Sequence, residues 1–454
     1  MVREIGQQTS GGFSKGRSRL ARLIKDDFFW QSTVVFAASM TGCGFSYLYQ
    51  IYVGRALGPE GYGAFGSLFA IFYLLSVFSG AVQAGGARFI SKYQATGEKD
   101  KIGSFLYGMM KKAALLGGAG FLVFVLISSG IASFLKIDSS QQVVILGTVI
   151  LFSFLTPATM GALQGLQRFY LFALLGAMTM GLKLVYGFVL VNQGYGVSGA
   201  LGAVTLATFT TFAVSVLFLL PLLRSGRRGN GHNFRELYLY SVPALLVMMC
   251  LAFPSNLDVI LAKHFFEGQE AGLYTAASVM GKIVLFLPGA VAAVMFPKAA
   301  EMSILGKSTM KLLNRSLIYT GLLSGAAAAT FVIFPDLVGT IFGKTYLGAA
   351  SIAGIYVVAM AVFSLTWIVA QYCLAVNDLR YTYLLVAFTA VEFLVLAFLH
   401  GSVLRMAEIL LAVNLLLFVF SYLYVFFGCG ISRREFIGDI DSHAGLQRRA
   451  KDIR

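Results

Sequence analysis

The chain has 454 residues, of which 58% are hydrophobic and only 12% are charged, and its formal net charge at pH 7 is +15. A soluble globule cannot bury so large an apolar fraction, so the composition excludes a soluble protein and indicates a membrane protein. The basic excess alone would also suit a nucleic-acid-binding protein, but its distribution along the chain favours a different cause.

About twelve apolar stretches follow one another, each of roughly 20 to 28 residues and long enough to cross about 30 Å of hydrocarbon as a helix. They are continuously apolar and do not alternate over about ten residues, which excludes a β-barrel. The predicted fold class is all-α: a polytopic membrane protein with two pseudo-symmetric six-helix bundles around a central cavity. The stretches lie near residues 30–54, 62–87, 106–135, 142–164, 169–193, 197–223, 238–263, 273–297, 313–335, 347–375, 381–399 and 404–428.

Positive charges are distributed unevenly between alternate connections. If the N-terminus is cytoplasmic, the cytoplasmic connections and tails hold about 28 of the 35 Lys and Arg residues, and two more, Lys183 and Lys282, lie inside spans. This bias predicts an even number of helices with both termini in the cytoplasm, and it explains the net charge without a nucleic-acid partner. The predicted outer cations are Arg55, Lys136, Lys263, Lys344 and Arg405.

An internal repeat divides the chain in two. Gly63-Ala64-Phe65 corresponds to Gly272-Leu273-Tyr274 at a spacing of 209 residues, and the stretches 166–170 and 378–382 correspond at 212. Because six helices separate the copies, both halves enter the membrane from the same side, as parallel repeats do. The predicted division is a basic, cytoplasmic, interfacial segment at 1–28, bundles at 29–223 and 237–428, a cytoplasmic linker at 224–236 and a basic tail at 429–454.

Three stretches carry a resemblance to a known family: ALGPEGYGAF at 56–65, LQGLQRFYLFALL at 163–175, and NLDVILAKHF with GLYTAA at 256–265 and 272–277. They resemble the polysaccharide-biosynthesis, or Wzx-type, flippases of the multidrug/oligosaccharidyl-lipid/polysaccharide exporter superfamily. The resemblance implies a transporter that turns lipid-diphosphate-linked oligosaccharides from the cytoplasmic to the outer leaflet of the cell membrane. It also implies lipid-linked substrate and membrane lipids as partners, a coupling proton or sodium ion, and work alongside a polysaccharide polymerase or glycosyltransferases.

Two other functions compete with this interpretation. A drug or organic-cation antiporter of the same superfamily would favour acidic residues facing its substrate, and the first span contains no Asp or Glu. A membrane-embedded glycan polymerase or ligase would need a water-exposed catalytic site, whereas the predicted outer connections are only about 3 to 11 residues long. We find no catalytic, metal-binding or cofactor motif, so the expected cofactor list is empty and the protein is not expected to be an enzyme.

Ionisable residues inside spans are the main site candidates, because each is costly in hydrocarbon unless it faces a partner or a wet cavity. Lys183 and Glu392 occupy equivalent places in the two repeats, at the spacing of 209. They could form a structural ion pair between the bundles. Alternatively, Lys183 gives the cavity positive charge for a diphosphate, and Glu392 has a structural or coupling role.

The seventh span contains a predicted helix break. Pro254 cannot donate to the carbonyl of Cys250, so a kink should expose backbone oxygen near Ser255, Asn256 and Asp258, the ingredients of a proton or small-cation site. Lys282 returns on the eighth span within reach of Asp258. The two could form a fixed ion pair or an exchangeable one that releases Lys282 to the substrate.

Two arginines complete the set of predicted substrate-binding residues. Arg55 precedes Gly58-Pro59 and Gly61-Tyr62-Gly63, which predict a short outer hairpin, and it could face the mouth of the cavity. Arg88 lies near a predicted cytoplasmic helix end, where it either extends to lipid headgroups or captures the diphosphate on entry.

Overall fold

The computed structural model describes residues 27–226 and 245–428. The segments predicted at 1–28 and 224–236 lie largely outside these residues, and the tail at 429–454 lies wholly outside them. The gap between the two described ranges separates the helices of the first half from those of the second half.

The first half consists of α-helices with one π-helical turn. In chain order they are α1 (Asp27–Ala95), α2 (Lys99–Leu126), α3 (Ser128–Phe134), α4 (Ser140–Gly165), α5 (Phe169–Leu190), the π-helical turn (Val191–Tyr195) and α6 (Gly196–Gly226). We call residues 27–226 the N-bundle.

The second half repeats the pattern with shorter pieces. In chain order they are α7 (Leu245–Ala252), α8 (Leu257–Phe265), α9 (Gly268–Phe286), α10 (Gly289–Ile304), α11 (Met310–Ile333), α12 (Leu337–Phe342), a 3-10 turn (Lys344–Ala349), α13 (Ala350–Ala375), α14 (Tyr381–Phe398) and α15 (Val403–Gly428). We call residues 245–428 the C-bundle.

The described residues contain nine helices long and apolar enough to cross a membrane, and α7 with α8 makes a tenth as a span bent by 40°. Two of the nine, 63 and 56 residues long, greatly exceed the roughly 20 residues that one crossing needs. Each breaks at glycines with positive φ: Gly58 (67°) in α1, and Gly194 (89°) and Gly196 (51°) between α5 and α6. Dividing both gives twelve crossings, and the all-α, twin-bundle fold class is confirmed.

The turn after the first crossing is tighter than the sequence predicted. Only Gly58 leaves helical geometry, with φ 67° and ψ 175°, and Pro59 restarts the helix, where its missing N–H costs nothing. Gly61 and Gly63 are helical, so the prediction that they form part of the hairpin loop was wrong. The end of the molecule at this turn is called the Gly58 end, and the opposite one the Gly226 end.

Gly63 instead allows the two bundles to touch. A Cβ atom at Gly63 would lie 2.9 Å from both the Gly268 oxygen and the Gly272 nitrogen, and one at Gly272 would overlap the carbonyl of Pro59. Gly63 and Gly272 are equivalent positions of the repeat. Equivalent positions meet where a pseudo-twofold axis passes, so this axis runs between the second arm of α1 and α9.

Replacing Gly272 with alanine is expected to destabilise this contact, because the new methyl group meets backbone that cannot move aside. Overpacking of this kind costs about 1–3 kcal/mol, so Gly272→Ala should lower the midpoint of thermal unfolding of the purified protein. Gly80→Ala is the matched control, since its methyl group would meet nothing within 4 Å. Equal midpoints for the two variants would contradict the close contact.

Candidate functional site

A cavity of ≈ 210 Å³ lies on the pseudo-twofold axis. Its walls come from both arms of α1 and from α8 and α9, and they pair equivalent positions of the repeat across the axis. The facing pairs at the spacing of 209 are Gly66 with Thr275, Phe69 with Ser278, Ala70 with Val279, and Tyr73 with Lys282. Both bundles therefore build the cavity, and relative movement of the bundles must reshape it.

A second, larger cavity of ≈ 490 Å³ adjoins the first, and the two share Tyr73 and Phe286 in their walls. Its lining is mostly apolar and includes Trp367 and Phe363 from α13. The cavity that contains Lys282 therefore borders an apolar cavity. Among the described residues that line either cavity, Lys282 is the only one with a charged side chain.

Lys282 is held without a carboxylate partner. Its Nζ donates to the Asn256 Oδ1 at 2.9 Å and lies 5.3 Å from the centre of the Tyr73 ring. A neutral amide oxygen and a π face orient an ammonium group, but they do not cancel its charge. Asp258 acts on Lys282 electrostatically without contacting it, so no carboxylate blocks the approach of another anion to the ammonium group.

The N-bundle surrounds Lys183 with the same kinds of neighbour, a neutral hydrogen-bond acceptor and aromatic rings. Its buried Nζ donates to the Ser46 Oγ at 2.9 Å and lies 4.8 Å from the Tyr49 ring centre and 5.8 Å from that of Phe69. Ser46 and Phe69 line the cavity on the axis. The second cation therefore sits directly behind the wall of the same cavity.

The structure forms neither of the two ion pairs that the sequence allowed. Lys183 contacts Ser46 within its own bundle, so it does not pair with Glu392. Lys282 does not pair with Asp258, because it lies about 12 Å further along α9 than Tyr274, the Asp258 partner on that helix. Neither of these two alternative pairings is present in this structure.

Asp258 and Glu392 form a buried acidic layer in the C-bundle. Both are almost inaccessible to solvent, and they interact electrostatically with each other. The Asp258 Oδ2 accepts hydrogen bonds from the hydroxyls of Tyr356 at 2.6 Å and Tyr274 at 3.0 Å. The Asp258 Oδ1 and both Glu392 oxygens have no hydrogen-bond partner among the described residues. Two buried carboxylates with three open oxygens are suited to binding a proton or a cation.

The repeat gives this layer a counterpart of different charge. At the spacing of 209, Tyr49 is equivalent to Asp258 and Lys183 to Glu392. The N-bundle thus places a tyrosine and a lysine in contact where the C-bundle places two acids. One architecture supplies a cationic site in one half and an anionic site in the other.

The predicted break of the seventh span is confirmed between α7 and α8. The Asn256 Nδ2 donates to the Ala252 carbonyl at 2.8 Å and the Ser255 Oγ donates to the same oxygen at 3.1 Å. Both side chains therefore replace hydrogen bonds that the interrupted helix lacks. The break also turns the amide oxygen of Asn256 toward Lys282, which links it to the cavity.

Arg55 lies at the Gly58 end, away from the cavities. Its Nε donates to the Ile341 carbonyl at 2.7 Å and its Nη2 to the Thr340 carbonyl at 2.6 Å, at the C-terminus of α12. The Tyr346 hydroxyl donates to the Gly54 carbonyl at 2.6 Å close by. These three hydrogen bonds join the N-bundle to the C-bundle, and we call them the Gly58-end latch.

Arg88 is also separate from the cavities. It is exposed on the second arm of α1, towards the Gly226 end, and it lines neither cavity. Of the predicted substrate-binding residues, the structure therefore brings together Lys183 and Lys282, and it leaves Arg55 and Arg88 at opposite ends.

The sequence model of a family described as "Polysaccharide biosynthesis protein" matches residues 52–351, well over half of the chain. The chain belongs to this polysaccharide biosynthesis protein family. The matched range contains Arg55, both cavity lysines and Asp258. No curated protein of known function is similar enough in sequence to match the chain.

Solved transporter structures share the fold of this family member. A multidrug resistance MATE family transporter of the MOP superfamily, in an inward-facing conformation, has a TM-score of 0.75 at 13% identity, over 86% of this chain and 96% of its own. Lipid II flippase MurJ, in an inward closed conformation, has a TM-score of 0.68 at 15% identity. The match covers 90% of this chain and 91% of MurJ. A MOP superfamily transporter from Pyrococcus furiosus, described by the reverse polarity of its binding pocket, has a TM-score of 0.63 at 16% identity. The match covers 89% of this chain and 96% of that transporter.

Sequence reasoning missed the partners of the charged residues in this polysaccharide biosynthesis protein. None of these partners was predicted as a site residue, including Tyr49, which is fully buried. They are Ser46, Tyr49, Tyr73, Tyr274 and Tyr356. The repeat held a usable signal for two of them, since the spacing of 209 relates Tyr73 to Lys282 and Tyr49 to Asp258.

Removing the Arg55 side chain is expected to open the Gly58 end. A hydrogen bond to a charged group contributes about 1.5–3 kcal/mol, so Arg55→Ala should increase the separated population by at least roughly tenfold. Spin labels on Tyr195→Cys and Phe398→Cys, with Cys43 and Cys429 changed to serine, would report the distance between the bundles. Arg405→Ala is the control, because Arg405 is an exposed arginine at the same end. An unchanged distance distribution in Arg55→Ala would contradict the latch.

Proposed function

We propose that the protein is a flippase that moves lipid-diphosphate-linked oligosaccharides from the cytoplasmic to the outer leaflet of the cell membrane by alternating access. The observation that carries this proposal is the pair of lysines at the cavity on the pseudo-twofold axis, one from each bundle and neither paired with a carboxylate. Lys183 and Lys282 donate hydrogen bonds only to neutral groups, so both give positive charge to that cavity. An anionic group entering between the bundles would be attracted by both.

The position of the two cavities supports an amphiphilic substrate. The cavity beside Lys282 borders the apolar cavity lined by Trp367 and Phe363, and the two share Tyr73 and Phe286 in their walls. A diphosphate beside the lysines would place the attached hydrocarbon against this apolar wall. An organic cation would meet Lys282 as the only charged lining residue within the described part of the chain, which disfavours the antiporter alternative.

The Gly58-end latch supports alternating access. It closes one end of the space between the bundles through contacts of Arg55 and Tyr346, whereas the axis cavity is built from both bundles. Transport would then require the latch to open while the bundles separate at the Gly58 end. In the proposed topology this end faces outward and both chain termini are cytoplasmic, as the distribution of basic residues predicts.

The acidic layer is the proposed coupling site. Asp258 and Glu392 together offer three oxygens without partners among the described residues, and Tyr274 on α9 binds Asp258 eight residues before Lys282. Binding of a proton or sodium ion would change the charge of this layer and the position of α9. Ser255 and Asn256, at the break between α7 and α8, would transmit the change because Asn256 also holds Lys282.

The proposal is tested by transport in proteoliposomes of purified full-length protein. A lipid-diphosphate-linked saccharide with a fluorescent tag on the sugar is placed in both leaflets, and a membrane-impermeant quencher reports exchange between them. We expect exchange well above that of protein-free vesicles. Uptake of a fluorescent organic cation without exchange of the saccharide would support the antiporter alternative and overturn the proposal.

A further inference from the structure

A third cavity, of ≈ 600 Å³, lies wholly within the N-bundle and apart from the axis cavity. Helices α2, α4 and α6 form it, and its wall is mostly apolar. Two of the lining residues, Lys111 and Arg224, carry positive charge. The complete lining is Tyr107, Met110, Lys111, Ala114, Leu155, Phe212, Leu220, Leu223 and Arg224.

This groove is cationic, and neither of its cations has a carboxylate partner among the described residues. Lys111 and Arg224 are both exposed and come from different helices, α2 and α6. A basic pocket between spans beside an apolar wall is the arrangement that binds an anionic lipid headgroup with its chain. At the spacing of 209, buried Thr320 is the position equivalent to Lys111, so this cation has no equivalent in the C-bundle.

The depth of the groove fits a single leaflet. On α6 the lining extends from Phe212 to Arg224, which is about 18 Å along a helix, whereas the hydrocarbon core is about 30 Å thick. The groove therefore starts near the Gly226 end and stops close to the bilayer midplane. One lipid of that leaflet fills such a depth, while a spanning partner helix would need a longer surface.

We propose that this groove binds an anionic phospholipid of the leaflet at the Gly226 end, which is cytoplasmic in the proposed topology. Its phosphate lies between Lys111 and Arg224, and an acyl chain lies along Leu155, Phe212 and Leu220. The lipid moves with the N-bundle, since the C-bundle contributes no residue to the lining. The site is independent of the flippase proposal and is tested by lipid binding alone.

The test is native mass spectrometry of the full-length protein in detergent with equal amounts of phosphatidylglycerol and phosphatidylcholine. Each cation near a lipid phosphate contributes roughly fivefold, so the two together predict about a 25-fold preference for phosphatidylglycerol. The Lys111→Gln/Arg224→Gln double variant should reduce this preference towards equal binding. The control, Lys298→Gln/Arg315→Gln, removes two exposed cations of the C-bundle and should keep the preference.

A second variant tests the apolar wall without changing charge. Ala114→Phe fills the groove from an exposed position on α2 and should also displace phosphatidylglycerol. Equal loss in the control double variant would mean general attraction to basic surface and would overturn the proposal. Retention of phosphatidylglycerol by Lys111→Gln/Arg224→Gln would overturn it too, as would selective binding of a polyprenyl diphosphate with no binding of phosphatidylglycerol.

Discussion

Reversing the charge of Lys282 is expected to abolish flipping. A carboxylate in Lys282→Glu would face the Asn256 amide oxygen and the Tyr73 ring. It would also make negative the one charged residue that lines the axis cavity and its apolar neighbour in the described part of the chain. We expect at least a 100-fold loss, which corresponds to about 2.7 kcal/mol. Flipping in proteoliposomes, normalised to the amount of folded protein, measures it.

Graded substitutions separate charge from packing at the same position. Lys282→Arg should retain most activity, and Lys282→Gln should be intermediate. At the other lysine, Lys183→Ala should reduce transport and Lys183→Glu should reduce it further. Lys298→Glu is the matched control, because Lys298 is an exposed cation of the C-bundle outside both cavities. Normal transport by Lys183→Glu would remove that residue from the cationic site.

Replacing Asp258 with asparagine is expected to uncouple flipping from ion gradients. Asparagine can still accept the hydrogen bonds of Tyr274 and Tyr356, but it cannot be protonated or neutralise a cation. Asp258→Asn should therefore retain slow downhill exchange while an imposed proton or sodium gradient no longer accelerates it. Full gradient-driven transport by this variant would contradict the coupling role.

The charge-swapped variant distinguishes coupling from a structural ion pair. Because Asp258 and Lys282 are not paired, Asp258→Lys/Lys282→Asp should remain inactive. It would place a lysine beside Tyr274 and Tyr356 and a carboxylate in the substrate cavity. Restored activity would mean that the two residues act as a pair in another state of the transport cycle.

Local chemistry explains which features the sequence could predict. Each crossing follows from the length of its apolar stretch, and the break in the seventh span follows from the missing N–H of Pro254. Gly58 was identified as a turn residue for the same kind of reason. None of these predictions depends on how the two bundles face each other.

The contacts of the charged residues depend on how the helices and bundles are oriented against each other. The sequence did not predict these contacts. Whether Lys282 meets Asp258 or Asn256 is decided by the rotation and axial shift of α9 against the broken span, and apolar stretches of uniform composition do not encode either. The role of Gly63 could not be predicted for the same reason, because this glycine allows a close approach to Gly272 across the pseudo-twofold axis.

In the proposed mechanism, Lys183 and Lys282 recognise the diphosphate of a lipid-linked glycan. The most direct measurement is equilibrium binding of two ligands to the purified protein, the diphosphate-linked glycolipid and the same glycan on the same lipid through an uncharged linkage. We predict clearly tighter binding of the diphosphate form, and loss of that difference in Lys183→Gln/Lys282→Gln. Equal affinities for the two ligands in the wild-type protein would contradict the account.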